Sequence, residues 1–144
     1  MNLKVAISPV VQKMIKKDIK LYIVWLRKNY NFPLKVKIFI SPDEFVKNMV
    51  TGEKVSATIF CPFDKKDTAI IKVATGDFNG LLKENGKVNS MNLTLNSISH
   101  ELQHYYQWVD DLGFDEEQAE DGAVELTCEY LDVKMKNRLT DNWN

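Results

Sequence analysis

The chain contains two histidines, His100 and His104, and three residues separate them. If this segment is helical, side chains four positions apart lie one turn apart on the same face, so both rings can offer a nitrogen to one ion. Glu101 is rotated about 100° from His100 around the helix axis, which places its carboxylate beside that ion. The pattern predicts a helix with a metal site, His100 and His104 as ligands, and Glu101 as the base for a metal-bound water.

The apolar residues around the histidines follow a helical period between about Leu93 and Val109. They form one stripe, which consists of Ile98, Leu102, Tyr105 and Val109. A helical projection puts His100 and His104 on nearly the opposite side from this stripe. We therefore expect the stripe to pack on a sheet and the histidines to face a cleft.

A second helix is predicted to start after Asp115, its N-cap, and to run to about Leu139. Glu116 and Glu117 then fall in the first turn, where the helix dipole favours negative charge. Gly113 is predicted to end the preceding helix. The short connection predicts that the two helices form an antiparallel hairpin.

This hairpin predicts where a third metal ligand comes from. Catalytic zinc sites take three protein ligands and a water, so one more side chain must join the two histidines. If the chain folds back near residues 112–113, His104 lies level with residues 120 and 121. Glu120 is therefore the predicted third ligand, and Glu116, one turn earlier, is the alternative.

The upstream segments predict an N-terminal helix followed by strands. Apolar residues recur with helical spacing from Ser8 to Tyr30. Strand patterns occupy residues 34–40, 54–60 and 67–73. A short helix is predicted over Phe45–Val50, and residues 61–66 are predicted to join the last two strands as a hairpin. The order of one helix, three or four strands and two helices is typical of an α+β domain with a mixed sheet.

The composition limits the class of protein. A length of 144 residues, 44% of them hydrophobic, fits one domain over residues 1–144. The formal net charge is −1, whereas proteins that bind nucleic acid through its phosphates normally carry a basic excess. Cys61 and Cys128 are too few to form a disulfide framework. As the third metal ligand they are less well placed than the acidic residues of the last helix. With no apolar run typical of a transmembrane helix or a signal peptide, the sequence predicts a cytoplasmic protein that binds neither nucleic acid nor a membrane, and it leaves the oligomeric state open.

Two segments carry a resemblance to a known family. They are His-Glu-Leu-Gln-His at residues 100–104 and the acid-rich run Glu-Glu-Gln-Ala-Glu-Asp-Gly-Ala at residues 116–123. They resemble the gluzincin metallopeptidases, above all the small minigluzincins and the ImmA/IrrE-like peptidases of phages and mobile elements. The resemblance, which covers about residues 93–133, implies a small zincin-like domain, bound Zn²⁺, a glutamate ligand on the helix after the motif, and hydrolysis of peptide or protein substrates with Glu101 as general base.

The same resemblance bears on the third ligand and on substrate binding. In ImmA/IrrE-like sequences the glutamate ligand tends to lie three residues before an alanine, and both Glu116 and Glu120 have an alanine at that distance. The short spacing from His104 favours Glu120. The family also implies an edge strand above the cleft that pairs with an extended substrate, for which we expect Asp67–Val73. The alternative function is a catalytically inactive metal-binding module with a regulatory or interaction role, encoded by a phage or mobile element.

Overall fold

The computed structural model describes residues 2–76 and 78–143 of the chain. These residues form an α+β structure with three helices, a mixed sheet of four strands and a separate two-stranded hairpin. In chain order the elements are β1 (Leu3–Ile7), α1 (Lys13–Asn29), β2 (Val36–Ser41), β3 (Val46–Lys47), β4 (Lys54–Val55), β5 (Ala57–Phe60), β6 (Ala69–Ala74), α2 (Phe78–Val109) and α3 (Glu116–Trp143). The predicted α+β class with a mixed sheet is confirmed.

The four-stranded sheet has the order β1-β2-β6-β5. β2 pairs in parallel with β1 and with β6, whereas β5 pairs antiparallel with β6. Side chains alternate between the two faces of a strand, and one face of this sheet is buried in the core. Its central residues are Val36, Ile38 and Ile40 of β2 and Ala69, Ile71 and Val73 of β6. The alternation that predicted a strand over residues 34–40 thus marks the inner face of β2.

The helices pack against this buried face and complete one core. α1 contributes Ile15, Ile19, Tyr22, Ile23 and Leu26. On α2, the predicted stripe is inside: Ile98, Leu102 and Tyr105 are fully buried, and Val109 is partly buried against the same core. This packing fixes the rotation of α2 about its axis and turns its opposite face away from this core.

The strand expected at the sheet edge is in fact an inner strand. β6 covers most of Asp67–Val73 and pairs with β2 on one side and β5 on the other, so the expectation for this segment was wrong. Its residues alternate between buried and half-buried, and this alternation, which reports on the two faces of a strand, does not distinguish an edge strand from an inner one. β5 forms the edge, and the hairpin predicted between these two strands is confirmed.

The helix predicted over Phe45–Val50 is absent from the described residues, where β3 and β4 form a hairpin instead. Turn chemistry explains the difference. The side-chain oxygen of Asn48 accepts hydrogen bonds from the backbone N–H groups of Val50 and Thr51, which closes a turn after β3. Gly52 follows with a φ of 73°, a left-handed conformation that glycine adopts without strain.

The N-terminal helix starts later than predicted. The backbone N–H of Ser8 donates to the carbonyl oxygen of Ile40, which extends the contact between β1 and β2 past the end of β1. The N–H of Val11 then closes a turn on the carbonyl oxygen of Ser8, and α1 begins at Lys13.

Within the described ranges, none of the helices combines the length and apolar character that crossing a membrane requires.

Candidate metal centre

α2 brings the two histidines together on the side opposite its buried apolar stripe, where they face a cleft beside β5. The predicted helix over this segment is confirmed, although α2 begins further upstream and is interrupted by non-helical dihedral angles at Gly86. The ring centroids of His100 and His104 lie 5.0 Å apart, with the planes at 74°. His104 is buried, with 3% of its side chain exposed, and His100 is half-buried.

A tight connection then reverses the chain between α2 and α3. The left-handed residue that ends α2 is Asp111, with a φ of 59°, rather than Gly113. Lys65, in the loop between β5 and β6, donates from its ammonium group to the carbonyl oxygens of Trp108 and Val109 at the end of α2. The chain therefore turns earlier than the sequence predicted.

The start of α3 was predicted correctly. Asp115 Oδ1 accepts a hydrogen bond of 3.0 Å from the backbone N–H of Gln118, which is the expected N-cap interaction. α3 then packs antiparallel to α2, with Ala119 and Ala123 completely buried. These small residues bring the acidic first turns of α3 close to the histidine face of α2.

Glu116 joins the two histidines. Its Oε1 lies 3.0 Å from His104 Nε2, and its Oε2 lies 3.0 Å from His100 Nε2. One ligand atom from each of these three residues lies within 4.8 Å of the others, so the His-His-Glu group could hold a metal ion.

Glu120, the favoured third ligand in the sequence, is not part of this group. Its Oε2 lies 3.1 Å from Nδ1 of His100, on the side of the ring away from the Glu116 contact. The difference is one helical turn, and it follows from the early reversal at Asp111, which brings Glu116 level with His104.

The rings of His100 and His104 are therefore oriented in the same way. Nε2 of each histidine faces Glu116, while the other nitrogen has its own oxygen partner: Glu120 for His100 and Gln107 Oε1, at 2.8 Å, for His104. Histidines that bind metals commonly donate their second N–H to an oxygen in this way, which fixes the orientation of the ring. Two imidazole nitrogens and a carboxylate are ligands that divalent transition metals take, so these residues fit such an ion.

The carboxylate of Glu101 is buried next to this group, with 8% of the residue exposed. Burial raises the pKa of Glu101 to about 7; the charge of His100 acts against this rise and that of Glu116 adds to it. Cys61 lies near enough for the charge of Glu101 to contribute, after burial, to raising the pKa of its thiol to about 12. Neither Cys61 nor Cys128 belongs to the metal-binding group found among the described residues.

A cleft of about 610 Å³ lies between the sheet edge and the two helices, and its lining includes His100, Glu101, His104, Glu116 and Glu120. β5 and the residues just before it form one wall, from Val55 to Ile59, and α2 and α3 form the other. Phe114, in the connection between the helices, lies at the cleft with its ring centroid 4.5 Å from that of His104. The described lining carries the carboxylates of Glu101, Glu116 and Glu120 and no lysine or arginine.

Two residues of this arrangement had no role in the prediction from the sequence. The helical projection places Gln107, three positions after His104, near the histidines, but it does not reveal the contacts of Gln107 with α3. Phe114 had no such signal, since its place depends on the path of the connection after Asp111.

Comparisons with models of protein families, with curated proteins and with solved structures found no match to this chain. The chemistry of the site rests on its own residues. They bring together a donor set for a divalent cation, a buried carboxylate with a pKa near neutrality, and an open cleft beside a sheet edge.

Proposed function

We propose that this chain is a zinc-dependent metallopeptidase with a zincin-like fold, in which His100, His104 and Glu116 hold the metal. The observation that carries the proposal is the His-His-Glu group with the buried carboxylate of Glu101 beside it, at an open cleft. A metal site with only a structural role has no need of a free carboxylate next to the ion. Glu101 therefore favours catalysis over the inactive metal-binding module.

The donor set supports zinc among the divalent cations. Imidazole nitrogens suit zinc, whereas magnesium and calcium take oxygen ligands. Three protein ligands leave a coordination position for water or substrate. A zinc ion bound here would lower the pKa of a water molecule and polarise the carbonyl group of the scissile peptide bond.

Glu101 acts as general base in this proposal. A base must lie within hydrogen-bond reach of the proton it takes, and the buried carboxylate of Glu101 lines the cleft beside the two histidines and Glu116. The carboxylate takes a proton from the attacking water and passes it to the nitrogen of the leaving amine. The bond between the carbonyl carbon and the water oxygen forms first, and the bond between carbon and nitrogen then breaks as the protonated amine leaves.

The sheet edge supports a peptide or protein as the substrate class. β5 ends the sheet and its residues line the cleft, so its outer backbone groups are available to an extended chain. A peptide that adds to a sheet edge gains main-chain hydrogen bonds whatever its side chains. This interaction would lay the peptide backbone along the cleft, past Glu101 and the histidines.

The variant Glu101→Gln tests the proposal. Purified wild type and variant are loaded with zinc, analysed for metal content and incubated with a library of fluorogenic peptides. We expect both to hold one zinc per chain and the variant to lose about 100-fold or more of the hydrolysis rate, because a general base typically contributes that much. Glu117→Gln, an exposed carboxylate outside the cleft lining, is the matched control and should cleave like wild type.

The outcomes separate the two functions. Unchanged hydrolysis in Glu101→Gln would refute the role of Glu101. Stoichiometric zinc with no hydrolysis by wild type across the library would favour the metal-binding module. A wild-type protein that takes up no zinc would refute the metal site itself.

A further inference from the structure

The side-chain amide of Gln107 connects a histidine of the candidate metal centre to the start of α3. Gln107 is buried, with 5% of the residue exposed. Its Oε1 lies 2.8 Å from Nδ1 of His104 and accepts a hydrogen bond of 3.2 Å from the backbone N–H of Asp115. Its Nε2 donates to the carbonyl oxygen of Asp115 and to Oε1 of Gln118, both at 3.1 Å.

The backbone of Asp115 decides which way this amide points. A backbone N–H can only donate and a carbonyl oxygen can only accept, so Oε1 of Gln107 must face the first and Nε2 the second. The opposite orientation would put donor against donor and acceptor against acceptor at a buried site, which is costly. The orientation of the Gln107 amide is therefore set by its contacts, independently of His104.

This orientation in turn decides the chemistry of His104. Because an acceptor, Oε1 of Gln107, faces Nδ1 of the ring, that nitrogen must carry the proton. In the neutral ring the lone pair is then on Nε2, which lies 3.0 Å from Oε1 of Glu116. That carboxylate is an acceptor as well, but its side chain is exposed and can turn into solvent, whereas the amide of Gln107 is buried and held in place by Asp115. The same amide holds the backbone of Asp115, the residue directly before Glu116, so it also fixes the start of the helical turn that carries the carboxylate.

We propose that Gln107 is a positioning residue of the metal centre, which selects the Nδ1–H tautomer of His104 and fixes the first turn of α3 that carries Glu116. The part of this inference that concerns metal affinity rests on the proposed function. The part that concerns the tautomer does not, because it follows from hydrogen bonds present without a metal.

Three variants test the role of Gln107. Gln107→Leu removes both the acceptor and the donor, Gln107→Glu keeps an acceptor for Nδ1 of His104, and Gln103→Leu is the matched control. Gln103 lies one turn earlier on α2 and packs against Gly122 of α3, so its replacement perturbs the same helix pair without touching His104 Nδ1.

The first measurement is the ring tautomer of His104 in metal-free protein, read from nitrogen chemical shifts at a pH where the rings are neutral. The chain has two histidines, so the spectrum contains two ring systems to assign. We expect the Nδ1–H form in wild type, in Gln103→Leu and in Gln107→Glu, and a mixture with the Nε2–H form in Gln107→Leu. An Nε2–H ring of His104 in wild type would overturn the inference without any variant.

The second measurement is the zinc dissociation constant, from competition with a chromophoric chelator. We expect it to rise about 10- to 100-fold in Gln107→Leu, the usual effect of removing the hydrogen-bond partner of a metal-binding histidine. It should rise less in Gln107→Glu and stay at the wild-type value in Gln103→Leu. Equal zinc affinity of Gln107→Leu and wild type would overturn the inference. A wild-type protein that binds no zinc would refute the proposed function instead. In that case the tautomer measurement decides the role of Gln107.

Discussion

Glu116 and His104 come from different helices, yet Oε1 of the one lies 3.0 Å from Nε2 of the other. The contact exists because α3 begins at Glu116, immediately after its N-cap residue Asp115. At this position the free N–H groups of the first turn and the helix dipole favour a carboxylate. The third member of the candidate metal group is thus held by the start of a helix rather than by its middle.

This geometry predicts that Glu116 is the carboxylate that metal binding needs most. Replacing Glu116 by glutamine keeps the size of the side chain and removes its charge. We expect the zinc dissociation constant to rise about 100-fold or more, since a direct ligand should matter at least as much as the partners that orient ligands. Competition with a chelator measures the change, and Glu117→Gln, exposed in the same turn, should bind like wild type. A variant Glu116→Gln with wild-type affinity would remove Glu116 from the site.

Replacing Glu120 is expected to reduce the zinc affinity less than replacing Glu116. Its Oε2 faces Nδ1 of His100 and so orients the ring instead of joining the three-residue group. We expect Glu120→Gln to weaken zinc binding about 10-fold, because the amide oxygen still accepts a hydrogen bond from Nδ1 but carries no charge. Competition with the same chelator measures the change. If Glu120→Gln weakens binding more than Glu116→Gln, the assignment of the third ligand is reversed.

The histidine face of α2 could be predicted because it depends on local periodicity alone. His100 and His104 are one turn apart, and the stripe opposite them is apolar, so the helix had one way to pack. The carboxylate that joins the two histidines was harder to predict. The choice between Glu116 and Glu120 is a shift of one turn between two helices, and that shift is set by the left-handed conformation of Asp111 and by the contacts of Gln107 with Asp115.

The sheet shows the same division between local and distant causes. The strand pattern of β2 is legible in the sequence, since its buried residues alternate. β1 was missed because only Leu3 of its five residues is fully buried, and its parallel partner β2 comes more than 25 residues later in the chain. The order of β5 and β6 in the sheet likewise depends on pairing between β2 and β6, which no local pattern encodes.

The buried carboxylate of Glu101 predicts a pH-dependent stability of the metal-free protein. Burial raises the pKa of Glu101 from 4.5 to about 7, so the folded chain binds this proton more tightly than the unfolded chain. The contribution of protonated Glu101 to the free energy of unfolding is fully present below pH 4.5, where the carboxyl is protonated in both the folded and the unfolded chain. It is lost as the pH rises from 4.5 through about 7, because the unfolded chain ionises first and the folded chain only near pH 7. Between those values the loss is on the order of 2–3 kcal/mol.

The variant Glu101→Gln isolates this effect, because all other titrating groups are shared with wild type. In the presence of a chelator, we expect the free energy of unfolding of Glu101→Gln, relative to wild type, to be higher at pH 8 than at pH 4.5 by on the order of 2–3 kcal/mol. Urea unfolding at the two pH values measures it. A difference that is the same at both values would mean that the pKa of Glu101 is not raised in the folded protein.

Gly76, between β6 and α2, allows an approach of two backbone segments that no larger residue could permit. A Cβ atom at this position would lie 2.5 Å from the carbonyl carbon of Asp43 and 2.6 Å from the backbone nitrogen of Glu44. The N–H of Gly76 also donates to the carbonyl oxygen of Asp43 at 2.8 Å, so the two segments cannot separate without losing this bond. We expect Gly76→Ala to lower the free energy of unfolding by about 2–3 kcal/mol through overpacking.

Gly113→Ala is the matched control for this substitution. A Cβ at Gly113 would meet nothing within 4 Å, and the φ angle of Gly113 is not in the positive range that strains other residues. We expect its free energy of unfolding to stay within about 0.5 kcal/mol of wild type, since the alanine fits the native backbone and restricts the unfolded chain. Urea unfolding of the three proteins gives the comparison. Equal stability of Gly76→Ala and Gly113→Ala would show that the segment at Asp43 can move away from β6 at little cost, and the close packing of this corner would then not contribute to the fold.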